Sequence, residues 1–197
     1  MIFKRLFDLI LSLVLAVVLL PIGLLIYLFI IILMGHPAFF IQKRPGLKTK
    51  IFKLYKFRTM LNYKDSSGKL LPDNKRTTKL GLILRKTSLD EIPSLFNVII
   101  GDMSFVGPRP LLIQYLDHYS DEQAKRHNVK PGITGWAQIN GRNDLDWSSK
   151  FSLDVWYVNN QSFFLDLKIL LITIVKVLTF EGINAPGNKP VEEFKGN

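Results

Sequence analysis

Asp90 and Glu91 stand side by side in the stretch SLDEIPSLFNV (88–98), within an otherwise apolar segment and shortly before Pro93. Carboxylates rarely enter such a segment without a partner or a task. As a structural device, Ser88 and Glu91 have the spacing of a capping box, and Asp90 would suit a first helical turn. Moving the cap to Asp90 places Pro93 inside the first turn, where its missing N–H costs nothing. As chemistry, a helix start attracts phosphate and keeps a carboxylate ionised. Such a carboxylate can attack phosphorus and form an acyl-phosphate. Its neighbour is placed to hold Mg²⁺, which would neutralise a diphosphate that otherwise repels the attacker. Arg85 and Lys86 lie one turn upstream, and Arg109 lies in PRP (108–110), so cations are at hand. On local features alone both readings stay open.

Other motifs say less. DLD (144–146) has the Asp-x-Asp form of many metal-dependent glycosyltransferases, but three residues match by chance often. His36, His118 and His127 lack metal-ligand spacing and suit surface or interface positions. Neither G-x-G-x-x-G nor a Walker A loop occurs, which disfavours a Rossmann or P-loop nucleotide site.

Elements must position the pair. The chain has 197 residues, enough for one domain with a substantial core. It has no cysteine, which excludes disulfides, thiolate metal sites and cysteine nucleophiles. Of the net charge of +10, residues 43–86 alone hold 14 Lys and Arg against two acids. That cationic stretch directly follows the most apolar one, an order that points to anionic headgroups or a phosphate-bearing substrate rather than nucleic acid.

From Leu9 to Met34 run 26 residues without a charge, beyond the roughly 20 that span a bilayer. Basic residues flank both ends, Lys4 and Arg5 before and Lys43 and Arg44 after. The positive-inside rule therefore wants both ends cytoplasmic. Pro21, near the middle, predicts a helix break or kink that would let the chain enter and leave by one leaflet. A kinked single pass is the alternative. Two units follow, a membrane helix over 1–36 and a body over 37–197 that would carry any catalytic site.

The body predicts an α+β, mainly helical fold with short interfacial helices. Residues 37–60 predict a β-hairpin turning at Pro45-Gly46. A polar loop over 61–79 precedes two short helices meeting near 87–90. VGPRP (106–110) must be extended or turn-like, because residues before proline avoid the α region. Residues 111–129 predict an amphipathic helix, and 130–144, with three glycines, a binding loop. Residues 162–180 are apolar but carry Asp166, Lys168 and Lys176, so an interfacial or core-packed helix is expected there, and then a frayed tail.

Taken together, KRLFDLILSLVLAVVLLPIGLLI, QKRPGLKTKIFKLYKFRTM, LRKTSLDEIPSLFNVIIGDMSFVGPRPLL and KPGITGWAQINGR resemble the bacterial sugar transferases, the monotopic phosphoglycosyl transferases. The likeness covers nearly the whole chain and is strongest to short PglC-type members. It implies transfer of a sugar-1-phosphate from a UDP-sugar to undecaprenyl phosphate at the inner membrane's cytoplasmic face, with release of UMP and a need for Mg²⁺. By that likeness Asp90 is the nucleophile that carries the phosphosugar, and Glu91 its metal-coordinating neighbour. Arg85, Arg109 with Pro108, Arg142 and Lys56 would hold phosphates or uridine. The donor would be an acetamido-sugar such as UDP-N,N′-diacetylbacillosamine, and the membrane helix re-entrant at Pro21. One departure stands out: the family often places Ser before that proline, and here it is Leu20. Oligomeric state, a homo-oligomer included, is left open. A non-catalytic membrane module binding anionic lipid or nucleic acid through residues 43–86 is the competing class.

Overall fold

The computed structural model describes residues 2–141, 145–179 and 193–196. The uncharged run folds into one helix, α1 (Ile2–Met34), of 33 residues. It is long and apolar enough to cross a membrane, by length and composition. Of the break or kink expected at Pro21, the break does not occur: the helix continues through the proline as one element. A proline removes one ladder bond and costs about 3 kcal/mol, which is tolerable when the turns on either side are held in place.

Both ends of α1 are held. Lys4 Nζ donates to Asp166 Oδ2 at 2.6 Å and to the Val106 carbonyl at 3.2 Å. Arg5 donates to the carbonyls of Val98 at 2.5 Å and Ile99 at 2.7 Å. At the other end Arg58 donates to the carbonyls of Met34 at 2.6 Å and His36 at 3.1 Å, and also to Gly35. Between these anchors Asp8, Ser12, Leu15, Leu19, Ile26 and Ile30 face the body at three-, four- and seven-residue spacing. Only 11% of the most apolar window is buried, so the opposite face needs an apolar surrounding of its own.

The expected hairpin forms. Strand β1 (Phe39–Pro45) pairs antiparallel with β2 (Ile51–Phe57), Phe39 opposite Phe57 and Pro45 opposite Ile51. The helices α2 (Asp73–Arg76) and α3 (Lys79–Lys86) follow, then α4 (Ser94–Ile100). No third strand continues the hairpin among the described residues. Side chains of α4 bond its free edge instead. Ser94 Oγ donates to the Tyr55 carbonyl at 2.8 Å. Asn97 Nδ2 donates to the Lys53 carbonyl at 2.7 Å, and its Oδ1 accepts from the Tyr55 N–H at 3.1 Å. This fixes α4, and the turn before it, against the end of β2.

A second sheet is parallel, β3 (Ser104–Val106) beside β4 (Gly132–Thr134). A Cβ on Gly132 would lie 2.2 Å from the Gly107 nitrogen, so the glycine of the expected binding loop is needed for close packing. The helices α6 (Trp136–Ile139), α7 (Trp147–Asn160) and α8 (Phe163–Leu178) close the fold. On α8 Asp166 is buried, bonded by Lys4 and by the Tyr157 hydroxyl at 2.6 Å, while Phe164, Leu171 and Leu178 stay exposed. The helix is thus core-packed on one side and apolar on the other.

Three expectations change. Residues 111–129 are not one helix. A 3₁₀ segment (Ile113–His118) ends at Tyr119, and Ser120 opens the separate α5 (Asp121–Ala124) with its own capping box, before a further 3₁₀ turn (Lys125–Asn128). His127 is buried, with Nδ1 3.3 Å from the Gly46 carbonyl. Burial and the nearby Arg126 charge lower its pKa to about 4. In the tail, Phe194 is buried among Tyr115, Trp147 and Phe151 and is not frayed.

Replacing the buried Asn97 by Ala would strand the Tyr55 N–H and the Lys53 carbonyl on β2, whose bonds to it are both half-buried. An unsatisfied buried group costs about 1–3 kcal/mol, so Asn97→Ala is expected to lower Tm by several degrees, read by thermal unfolding in detergent or nanodiscs.

Candidate active site

The capping box expected at Ser88 is absent. Ser88 takes a left-handed conformation (φ 57°) and makes no side-chain cap bond. Leu89–Glu91 form one 3₁₀ turn, and α4 starts only after Pro93. Proline accounts for the shift: it is tolerated just ahead of the first turn, where no N–H is missed. Asp90 and Glu91 therefore lie outside the regular helix, and positive charge around them comes from side chains.

The two carboxylates differ sharply. Glu91 Oε1 accepts from Lys56 Nζ at 2.5 Å and from the Arg109 guanidinium at 3.0 Å. Both bonds fall on one oxygen, and no described residue bonds Oε2. Burial pushes the Glu91 carboxyl up, but Arg109 and Lys56 together outweigh it and hold it at about 2. The same pairing raises Arg109 further. Asp90 accepts no hydrogen bond from the described residues. Burial, then the Glu91 charge, push its carboxyl above the usual carboxylate range, while Lys56, Arg109 and Arg85 pull it back. Glu91 is thus a paired anion, and Asp90 a carboxyl that no described residue bonds but that feels the charge of three cations.

Each cation has a distinct mount. Lys56 is on β2, directly after the residues that α4 holds. Arg85 is on α3, where its Nε donates to Thr59 Oγ1 at 2.9 Å. Arg109 projects from PRP, with Pro108 buried beside it. The carbonyl of Pro108 accepts from Gly132 N at 3.0 Å, so Pro108 backs the site as a support for Arg109. Arg142 and Asp144 lie outside the described residues. Pro21 is in the middle of α1, remote in sequence from all of these.

The site fits a divalent cation by its donor set. Asp90 and Glu91 Oε2 are hard oxygen donors, and Mg²⁺ commonly takes one or two carboxylates with water and phosphate completing its shell. No group of three or more His, Cys, Asp or Glu is found among the described residues, so substrate oxygens would supply the rest.

Sequence reasoning missed the residues behind the wall. Thr59 holds Arg85, and buried Arg126 donates to the Arg109 carbonyl at 2.8 Å. Arg126 looked like one more charge in a polar stretch, and only the fold shows its burial.

Acidic groups of unlike state, faced by cations on three separate elements beside a long apolar helix, suit a membrane enzyme acting on phosphates. Comparison with known proteins agrees: the model of the bacterial sugar transferases matches residues 1–180, and the chain belongs to that family. It is 57% identical to the uncharacterized sugar transferase EpsL of Bacillus subtilis, over 100% of this chain and 98% of that protein. It is 38% identical to the undecaprenyl-phosphate galactose phosphotransferase of Salmonella typhimurium, over 91% of this chain and 41% of that protein. With the UDP-glucose:undecaprenyl-phosphate glucose-1-phosphate transferase of Klebsiella pneumoniae it shares 41% identity, over 89% of this chain and 40% of that protein. The chain therefore spans about two fifths of the length of the Salmonella and Klebsiella relatives.

Because the Glu91 charge helps raise Asp90, Glu91→Gln is expected to lower the Asp90 pKa. Lys56 and Arg109, freed of Glu91, then act on Asp90 alone. Carbon-13 carboxyl titration in metal-free buffer reads the shift, and an unchanged or raised Asp90 value would contradict this electrostatic arrangement.

Proposed function

We propose that this protein transfers a sugar-1-phosphate from a UDP-sugar to undecaprenyl phosphate and releases UMP, with Asp90 as the covalent nucleophile. The observation that carries the reading is the contrast between the paired Glu91 and the unbonded Asp90 beside the same cations. In the first step an Asp90 oxygen forms a bond to the phosphorus bearing the sugar. The bond from that phosphorus to the oxygen bridging to the uridine phosphate breaks, and UMP leaves with the electron pair. In the second step a phosphate oxygen of the lipid carrier attacks the same phosphorus, giving a diphosphate-linked sugar and freeing Asp90.

Lys56, Arg85 and Arg109 would balance charge on the transferred and leaving phosphates, and Arg142 is assigned to uridine or phosphate by family likeness. Mg²⁺, held by Asp90 and Glu91, would neutralise the diphosphate. Part of Asp90's charge is already offset by cations, so a phosphate can approach it without the full repulsion of two anions.

The donor is a UDP-sugar. The relatives' names state glucose and galactose, and the acetamido-sugar suggested by short family members is the other arm of a donor screen. The membrane reading places α1 in the inner membrane with both ends on the cytoplasmic side and the body beside anionic headgroups. Its support is that Lys4 and Arg5 at one end, and Arg58 at the other, tie both ends of α1 to one body.

Asp90→Asn is expected to abolish UMP release from a UDP-sugar with undecaprenyl phosphate and Mg²⁺. Full activity in that variant would sink the covalent mechanism, and UDP as the product would favour an Asp-x-Asp glycosyltransferase. Salt-sensitive lipid or nucleic-acid binding indifferent to Asp90, without UMP release, would favour a non-catalytic module. For topology, a cysteine introduced at position 2 of this cysteine-free chain is expected to resist a membrane-impermeant thiol reagent added from the periplasm. Labelling from that side would overturn the re-entrant placement.

A further inference from the structure

Prolines 108 and 110 have no N–H to give a neighbouring strand, so apart from the single Arg109 N–H the segment offers only its carbonyls to be held by. All three are held, each by a different element. The Pro108 carbonyl accepts from Gly132 N at 3.0 Å, that of Arg109 from Arg126 at 2.8 Å, and that of Pro110 from Arg44 at 3.2 Å. The middle contact lies directly behind the residue that meets Glu91.

Arg126 is built to hold still. Its Nε donates to Asp154 Oδ2 at 3.1 Å, and one terminal nitrogen donates to the same oxygen at 2.7 Å as well as to the Arg109 carbonyl. The other terminal nitrogen donates to the Tyr119 hydroxyl at 3.2 Å. Side-chain exposure of the pair is 2% and 3%, so neither charge is spent on solvent or has access to substrate. The Arg126 guanidinium carbon lies 5.7 Å from the Tyr119 ring centroid and 5.6 Å from that of Phe151. Phe194 packs on both rings, at 5.8 Å from Tyr119 and 4.8 Å from Phe151.

We propose that Arg126 is a positioning residue for the reaction: paired with Asp154 and walled in by rings that Phe194 backs, it holds the Arg109 carbonyl and so aims the Arg109 guanidinium at Glu91. The residues around Phe194, near the end of the chain and far in sequence from the acidic pair, thereby belong to the machinery of the site. Arg126→Lys keeps the charge but removes the planar fork that reaches Asp154 and the carbonyl together. Phe194→Ala leaves every polar contact in place and removes only the backing ring.

The rate arm rests on the reaction proposed above; a structural arm does not. Structures of Arg126→Lys and Phe194→Ala are expected to show Arg109 withdrawn from Glu91, and an unchanged 3.0 Å contact in both would overturn the proposal. In UMP-release assays each variant should lose roughly tenfold to a hundredfold in kcat/KM, and Phe194→Tyr should retain most of the rate. In an Arg109→Lys background the Phe194→Ala loss should nearly vanish, because the residue it acts through is already altered. A loss of equal fold in both backgrounds would mark a purely structural role and overturn the proposal. Should Arg126→Lys fail to fold, Phe194→Ala decides alone. Should the unmodified protein release no UMP, the reaction reading fails and the structural arm still decides.

Discussion

One carboxylate oxygen, Oε1 of Glu91, is where the molecule's separate parts meet. It receives Lys56 from the hairpin and Arg109 from the proline-flanked segment, while Glu91 itself stands in the turn between α3 and α4. Three stretches far apart in the chain are thus referenced to a single atom. Its partners sit in different solvent: Lys56 is 18% exposed and Arg109 48%, so the Arg109 bond is the more screened of the two. That asymmetry explains why Arg109 needs support from behind, whereas Lys56 is set by β2 and the α4 side chains that bond it.

The apolar helix obeys a related logic. Hydrophobic packing alone would let α1 slide along the body, since one apolar stripe matches another at several registers. Lys4, Arg5 and Arg58 remove that freedom, because each must meet particular carbonyls or Asp166. Buried polar contacts here select a register and add little net stability, the role that polar groups most reliably play in apolar interfaces.

Much of this was legible in the sequence. The uncharged run announced α1, Pro45-Gly46 announced the hairpin turn, and the acidic pair with basic residues near it in sequence announced a cluster of charges that the fold does assemble. What misled was local spacing. Ser88 and Glu91 had the right separation for a capping box, yet Pro93 moved the helix start beyond them. Residues 111–129 had helical periodicity, but the Ser120 cap began a new helix in their midst. What stayed hidden depended on long-range contacts. Asn97 replaces a missing strand, Arg126 is walled in by rings from two stretches of chain, and Phe194, which backs both rings, belongs to a segment whose composition suggested only fraying. No window of neighbouring residues carries such information.

The short helix α4 has a geometric consequence. Its C-terminal carbonyls are gripped by Arg5, near the start of the apolar helix, and its N-terminal end follows directly on the acidic turn. Seven residues at 1.5 Å each make a strut of about 10 Å. The strut works as a depth gauge: however α1 settles in its surroundings, Asp90 keeps a constant offset from the point where the charged head of α1 gives way to uncharged chain.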